Sequence, residues 1–476
     1  LYVRIGRWNV PGRPVAVLVD FQPYFAMKND IYTRLWEDYG VDSLHAYGDY
    51  DEASMFSYAA GLVVESYYNH VLKGQCEHVV YQAHEWMTGL GALYIQKHVP
   101  EVATIFTTHA TTIGRSIAGN HKPLYEYLFA YNGNQMAQEL NVQSKHSIER
   151  ETAHHVDCFT TVSEVTNREC AELLDKPADV VLMNGFEKDF VPSKALFARK
   201  RREARRKLRE VAGALLGTEF DDDVMIISTS GRYEFRNKGI DLYMEAMNRS
   251  LRNKDLTRKI LAFVQVPGWV CCPREDLKER LDSGKACDTP LQWPLLTHWL
   301  HEMSHDQVID YMKRYNMWNQ PEDKVKVIFV PCYLDGADGI FNMHYYDLLI
   351  GMDLTVYASY YEPWGYTPLE SVAFHVPCVT TNLSGFGLWV NQLLGKEGEL
   401  ADGVQVVRRT DYNSSEVADA IKDAITAYSA FTPHEVENIR HKAADISEHA
   451  LWKHFIQYYY QAYDFALHKA KQRRGR

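Results

Sequence analysis

Long apolar runs are missing from the chain. No segment nears the ~18 residues that a membrane-spanning helix requires, which argues against a membrane protein. Cysteine is sparse: eight in 476 residues, with no Cys-x-x-Cys pair. That usage supports no disulfide framework. Cys271, Cys272 and Cys287 fit no zinc spacing, and reduced, mostly buried thiols of a cytoplasmic enzyme are expected. A basic excess is missing too. The net charge is −11, which argues against a nucleic acid or an anionic membrane as partner. Internal repeats and low-complexity segments are absent. With 46% hydrophobic and 24% charged residues, the composition excludes a disordered, collagenous or coiled-coil chain. Leu1 is not an initiator methionine, which leaves a removed targeting peptide open.

What is present is an alternation of short apolar runs with longer helical patterns. Strands are predicted at 15–19, 78–82, 102–107, 158–162 and 180–183. A second series follows at 224–228, 260–264, 325–330, 354–358, 378–381 and 404–407. Continuous rather than alternating apolarity marks strands buried on both faces. The pattern predicts an α/β protein with parallel sheets covered by helices. A basic helical segment over 193–210 separates the two series. It reads as a solvated face between domains, or as a surface for phosphate or polymer. The expected division is a first lobe over 1–215, a second over 216–450 and a packed aromatic helix over 451–476. An insertion over 273–321 is expected to be helical, and either packs on its domain or drives oligomerisation.

In open α/β sheets ligands lie beyond the carboxyl ends of the strands, and the chemistry-bearing residues fall there. After 354–358 comes Tyr-Tyr-Glu-Pro-Trp-Gly-Tyr-Thr-Pro-Leu-Glu, positions 360–370. Glu362 is expected in the loop and Glu370 in the first helical turns. Gly365 lets the backbone approach a ligand. The Tyr366 and Thr367 amides open a helix, where dipole and orphan N–H groups favour an anion, with Pro368 suited to the first helical position. Two carboxylates with anion-binding amides between them suit a sugar nucleotide. After 224–228 comes Ser-Gly-Arg-Tyr-Glu-Phe-Arg-Asn-Lys-Gly, positions 230–239. There Arg232 and Lys238 can converge on a diphosphate and stabilise it as a leaving group without a metal. His84 follows 78–82 and Asn184 follows 180–183; both fit a sugar hydroxyl, and both fit ordinary structural roles. Asp49/Asp51 and the acidic run 221–223 have the Asp-x-Asp spacing of a divalent-ion site, but lie in polar loops and read as surface.

Together these motifs resemble the eukaryotic-type glycogen synthases of glycosyltransferase family 3. The resemblance is carried by Gly6-Arg7-Trp8, His84-Glu85-Trp86, the Thr-Thr-His-Ala-Thr run at 107–111 with Gly114-Arg115, the 230–239 and 362–370 runs, and Thr-Thr-Asn-Leu-Ser-Gly-Phe-Gly at 380–387. It implies the GT-B architecture, two Rossmann-like domains facing a central cleft, the first taking the acceptor and the second the nucleotide sugar. It implies retaining transfer of glucose from UDP-glucose to the 4-hydroxyl at a glucan's non-reducing end, with no metal or pyridoxal phosphate.

By resemblance Arg232 and Lys238 would hold the diphosphate, and Glu362 would lie by the glucose as an electrostatic stabiliser. The amides of Gly365, Tyr366 and Thr367 would meet the phosphates, and Glu370 the ribose. Tyr345 would stack on uracil, His84 would contact the glucose, and Asn184 is a further sugar contact. A homo-oligomer through the insertion is expected, with UDP-glucose and glycogen as partners.

Two departures stand out. The family's opening strand and its glycine-rich, lysine-bearing loop have no match before Gly6, so they are expected to be missing. The helix over 432–448 holds Arg440, His441 and Lys442 among Glu435, Glu437, Asp445 and Glu448. In the family an arginine-dense helix binds glucose 6-phosphate, so little or no activation by that effector is expected. Two other classes compete: a different retaining transfer on the same fold, of the sucrose-synthase, trehalose-synthase or phosphorylase type, and a non-catalytic glucan-binding scaffold.

Overall fold

The computed structural model describes residues 2–475. The chain forms two compact units. One runs to Asn184 and takes in the chain from Phe455; the other is Gly185–His454.

The first unit opens with an antiparallel hairpin of β1 (Tyr2–Arg7) and β2 (Val15–Asp20). The strand expected at 15–19 is therefore real, but it lies outside the parallel sheet. Its Leu18 and the facing strand's Ile5 are exposed. Four parallel strands follow in the order β3 (Val80–His84), β4 (Ala103–Thr108), β5 (Cys158–Thr161) and β6 (Val180–Val181). Every residue of β4 and β5 is buried. Their threonines pair across the sheet, Thr107 Oγ1 with Thr160 Oγ1 at 2.8 Å, so the polar atoms inside the sheet have partners. The tail helix is Trp452–Arg474. Its buried residues Phe455, Tyr459, Ala462, Ala466 and Ala470 recur at helical spacing and form one stripe. Arg473 pairs with the buried Asp157 at 2.8 Å.

The second unit holds β7 (Met225–Ser230), β8 (Ile260–Gln265), β11 (Val325–Val330), β12 (Leu354–Val356), β13 (Cys378–Thr381) and β14 (Val404–Val407). They form one parallel sheet in the order β11-β8-β7-β12-β13-β14. The insertion is not purely helical. Beside helices Glu275–Ser283 and Gln307–Arg314 it carries β10 (His298–Leu300), antiparallel to β9 (Val270–Pro273). The fully buried Arg274 knits the insertion together, donating to the carbonyls of Trp293 at 2.6 Å and Gln292 at 2.7 Å.

The basic segment is helix Lys194–Leu216, and it packs within the second unit. Arg201 and Arg205 turn inward onto the buried Asp353 at 2.7 and 2.8 Å. The division between units thus falls ahead of this helix, not at its end near 215. The cysteines are also only half as expected: Cys158, Cys170, Cys332 and Cys378 are buried, while Cys76, Cys271 and Cys272 are exposed.

Candidate active site

The two conspicuous motifs follow β7 and β12, which lie side by side in the sheet. Strand pairing is what brings them together. Gly239, at φ +68°, closes the first loop; a Cβ there would sit 1.9 Å from the Ala358 carbonyl oxygen. Only glycine fits both the left-handed backbone and that close approach. The Asn237 carbonyl accepts the N–H groups of Tyr360 and Tyr361 across the seam at 2.9 and 3.0 Å. With the loops held so, the Lys238 ammonium meets the Glu362 carboxylate at 2.6 Å. Both side chains are largely buried.

Helix Tyr366–Ala373 begins at Gly365, whose φ of +113° marks it as the cap. Pro368 is therefore the third helical residue, not the first. The amides of Tyr366 and Thr367 lie in the first turn of this helix, where the N–H groups point out along the axis. The run at 380–387 braces this loop. Ser384 Oγ donates to the Trp364 carbonyl at 2.9 Å, and Gly385 N–H donates to the Glu362 carbonyl at 3.1 Å. Glu370 accepts from the Tyr346 hydroxyl at 2.8 Å. Burial pushes its carboxyl up to about 7, against the opposing pull of that hydrogen bond.

A cavity of about 370 Å³ is lined by Ser230, Arg232, Gln265, Tyr345 and Thr367 among others. It brings Arg232, Tyr345 and Thr367 together as expected residues. Arg232 is more than half exposed and pairs with Glu234 at 2.9 Å, so its guanidinium can reorient towards a ligand. The Tyr345 hydroxyl is within 2.7 Å of Ser230 Oγ.

His84 and Asn184 belong to the other unit. His84 ends β3, and its Nδ1 is 3.0 Å from Nε2 of His109. Burial, with a smaller push from His84, holds His109 down at about 4, so it stays neutral at physiological pH. Glu85, at φ +66°, accepts the His109 N–H at 2.7 Å. Asn184 is buried after β6. His109 was not singled out from sequence, although it lies in the quoted run at 107–111. The available signal was a second histidine just past the neighbouring strand, where β3 and β4 put His84 opposite Thr107. Tyr346 and Gln265 were missed as well.

Among the described residues one group has metal-like spacing: His298, Cys332 and Asp338, with ligand atoms within 4.8 Å. Its donors are spent on the protein. The Asp338 carboxylate accepts from the N–H groups of Ile340, Phe341 and Asn342 at 3.0, 2.8 and 2.8 Å. His298 Nε2 lies 2.9 Å from the Asp338 carbonyl. Burial pushes the Cys332 thiol up to about 12. Of the two Asp-x-Asp runs, Asp49 and Asp51 sit in ion pairs with Lys145 and Lys28, both at 2.6 Å.

The sequence model of the glycogen synthase family matches residues 1–272 and 275–474. Glycogen [starch] synthase of Neurospora crassa is 27% identical over 98% of this chain and 73% of its own length. The liver glycogen [starch] synthase of Rattus norvegicus is 26% identical over the same shares. In structure, the catalytic domain of starch synthase IV from Arabidopsis thaliana, bound to ADP and acarbose, superposes with a TM-score of 0.52. It is 14% identical and covers 88% of this chain and 78% of that one. No helix among the described residues is long and apolar enough to cross a membrane.

Proposed function

The chain belongs to the glycogen synthase family, and from that premise we propose that it transfers glucose from UDP-glucose to the 4-hydroxyl at the non-reducing end of glycogen, keeping the α configuration. The fold is that of GT-B glycosyltransferases. The observation that carries the reading is the Lys238–Glu362 pair, held by the same two loops that send Arg232 and Thr367 to the lining of one cavity. A cation, a carboxylate and a helix N-terminus converge where a sugar diphosphate would break.

The roles divide by chemistry. Arg232 and Lys238 stabilise charge on the departing diphosphate, with the amides of Gly365, Tyr366 and Thr367 adding fixed dipoles. Glu362 stabilises the cationic character of the transferred glucose. The acceptor hydroxyl attacks the anomeric carbon on the face that UDP leaves. The C–O bond to the phosphate breaks, and the hydroxyl proton passes to the departing phosphate oxygen. No side chain is assigned as nucleophile. Glu370 accepts from the ribose, Tyr345 packs on the base, and His84 and Asn184 serve the sugar. The reaction is proposed to need neither a metal nor pyridoxal phosphate. A cytoplasmic homo-oligomer, assembled through the 273–321 insertion, fits the same reading.

The experiment is UDP release from UDP-glucose with and without glycogen. Release that depends on glycogen and vanishes in Glu362→Ala is the expected result. No release while glycogen still binds would favour a scaffold instead.

A further inference from the structure

We infer that Gln265 reads the base of the donor nucleotide by pairing its side-chain amide with the imide edge of uracil. The inference rests on the nucleotide-sugar reading above and names the group that selects the nucleotide.

Gln265 is the last residue of β8 and lies in register with Ser230 on β7 and Val330 on β11. It is 5% exposed. Neither its amide oxygen nor its amide nitrogen has a hydrogen-bond partner. A buried carboxamide with both ends unpaired is costly, because it has given up water and gained nothing. Such a group in a native fold calls for a partner that arrives later. The partner's place is the 370 Å³ cavity that Gln265 lines.

Position within the cavity says which part of the ligand it meets. Arg232 and Thr367, which the nucleotide-sugar reading gives to the diphosphate, follow β7 and β12, on one side of β8. Gln265 ends β8, whose other neighbour is β11; Cys332, Tyr333, Leu334 and Asp335 follow β11 and, with Pro267, line the same cavity, a mostly uncharged set that suits a base. Ser230, the cross-strand partner of Gln265, is already engaged with Tyr345. The amide therefore supplies an adjacent donor and acceptor, and uracil presents the complement, the N3–H beside the O4 carbonyl. Sequence spacing hid this residue because it closes an apolar strand and belongs to neither motif.

The test compares UDP with N3-methyl-UDP by calorimetry on the 476-residue chain and on Gln265→Leu, a near-isosteric change whose folding is checked by circular dichroism. The wild-type chain is expected to bind N3-methyl-UDP about tenfold or more weakly than UDP, the scale of a lost buried hydrogen bond. Gln265→Leu is expected to bind UDP about tenfold more weakly than wild type and to treat the two nucleotides alike. A methyl penalty of equal size in both proteins overturns the inference and leaves the donor reading standing, as does unchanged UDP affinity in the variant. Binding of ADP with no binding of UDP by the wild-type chain would instead overturn the donor reading itself.

Discussion

Lys238 and Glu362 come from loops after two neighbouring strands and meet at 2.6 Å. Each is the other's principal charge partner in a poorly hydrated place, so removing either strands the other. Glu362→Gln keeps the shape and deletes the charge. It is expected to slow glycogen-dependent UDP release by a hundredfold or more, on the order of what one preorganised electrostatic group supplies. UDP affinity should change by far less, because the proposed role sets Glu362 by the glucose rather than the nucleotide. Lys238→Ala is expected to weaken both. Steady-state rates and UDP calorimetry on the two variants check the split; an active Glu362→Gln would refute the role.

Gly239 is what lets that pair form. Its backbone is left-handed, and a Cβ would press on the Ala358 carbonyl at 1.9 Å. The obstacle is backbone and cannot swing away. Gly239→Ala is expected to cost a few kcal/mol of stability, from strain and clash together, and to lower UDP release with it. Urea unfolding gives the first quantity. A variant as stable as wild type would show that the seam between the loops is softer than its geometry says.

Much of this was legible in the sequence, and what was not has a physical reason. β7, β8 and β11 are buried on both faces, so their apolar runs announced them. β10 is three residues, His298–Leu300, too short for any period to show. The Glu362–Glu370 motif was readable because its parts are contiguous and carry unusual backbone demands. Tyr346, His109 and Gln265 reach their places through strand order and register, which periodicity does not encode. The basic helix was read as a domain border because its arginines looked solvated; the buried Asp353, far along the chain, is what turns Arg201 and Arg205 inward.

Glu149 gives the first unit a pH dependence of known sign. It is fully buried in helix Gln143–His155, and accepts from Thr108 Oγ1 at 2.6 Å and Thr112 N–H at 2.8 Å. Burial, and then the charge of Glu85, lifts its carboxyl to about 8. An unfolded glutamate titrates at ~4.3. Between those values the folded chain holds more protons than the unfolded one. Its contribution is therefore fully present below ~4.3 and is lost as pH rises to about 8. Glu149→Gln cannot ionise, and its amide can donate to Thr108. The variant is expected to gain stability relative to wild type between pH 5 and pH 8.5, by roughly one to a few kcal/mol. Urea unfolding at the two pH values measures it; a difference that does not move with pH would rule out the raised carboxyl.

The Arg440 helix bears on regulation. It runs Pro433–His449 and opens with the expected capping box of Thr432 and Glu435. Its acidic residues already made it a poor host for a phosphate dianion. The structure adds a second reason, because Arg201 and Arg205 are already paired with a carboxylate of the chain itself, Asp353. A phosphate reaching those guanidiniums would have to displace a buried, charge-assisted pair. Burial, with repulsion from Arg201, pushes Arg440 down to about 9, which leaves it a cation near neutral pH, so the case against an effector site rests on the Asp353 pairs. Glucose 6-phosphate is therefore expected to leave glycogen-dependent UDP release unchanged at saturating UDP-glucose, and the KM for UDP-glucose unchanged within about twofold, less than the coupling an allosteric effector typically exerts. Titration of the effector at several donor concentrations decides the matter. A clear fall in KM or rise in rate would mean that Asp353 yields its arginines to the phosphate.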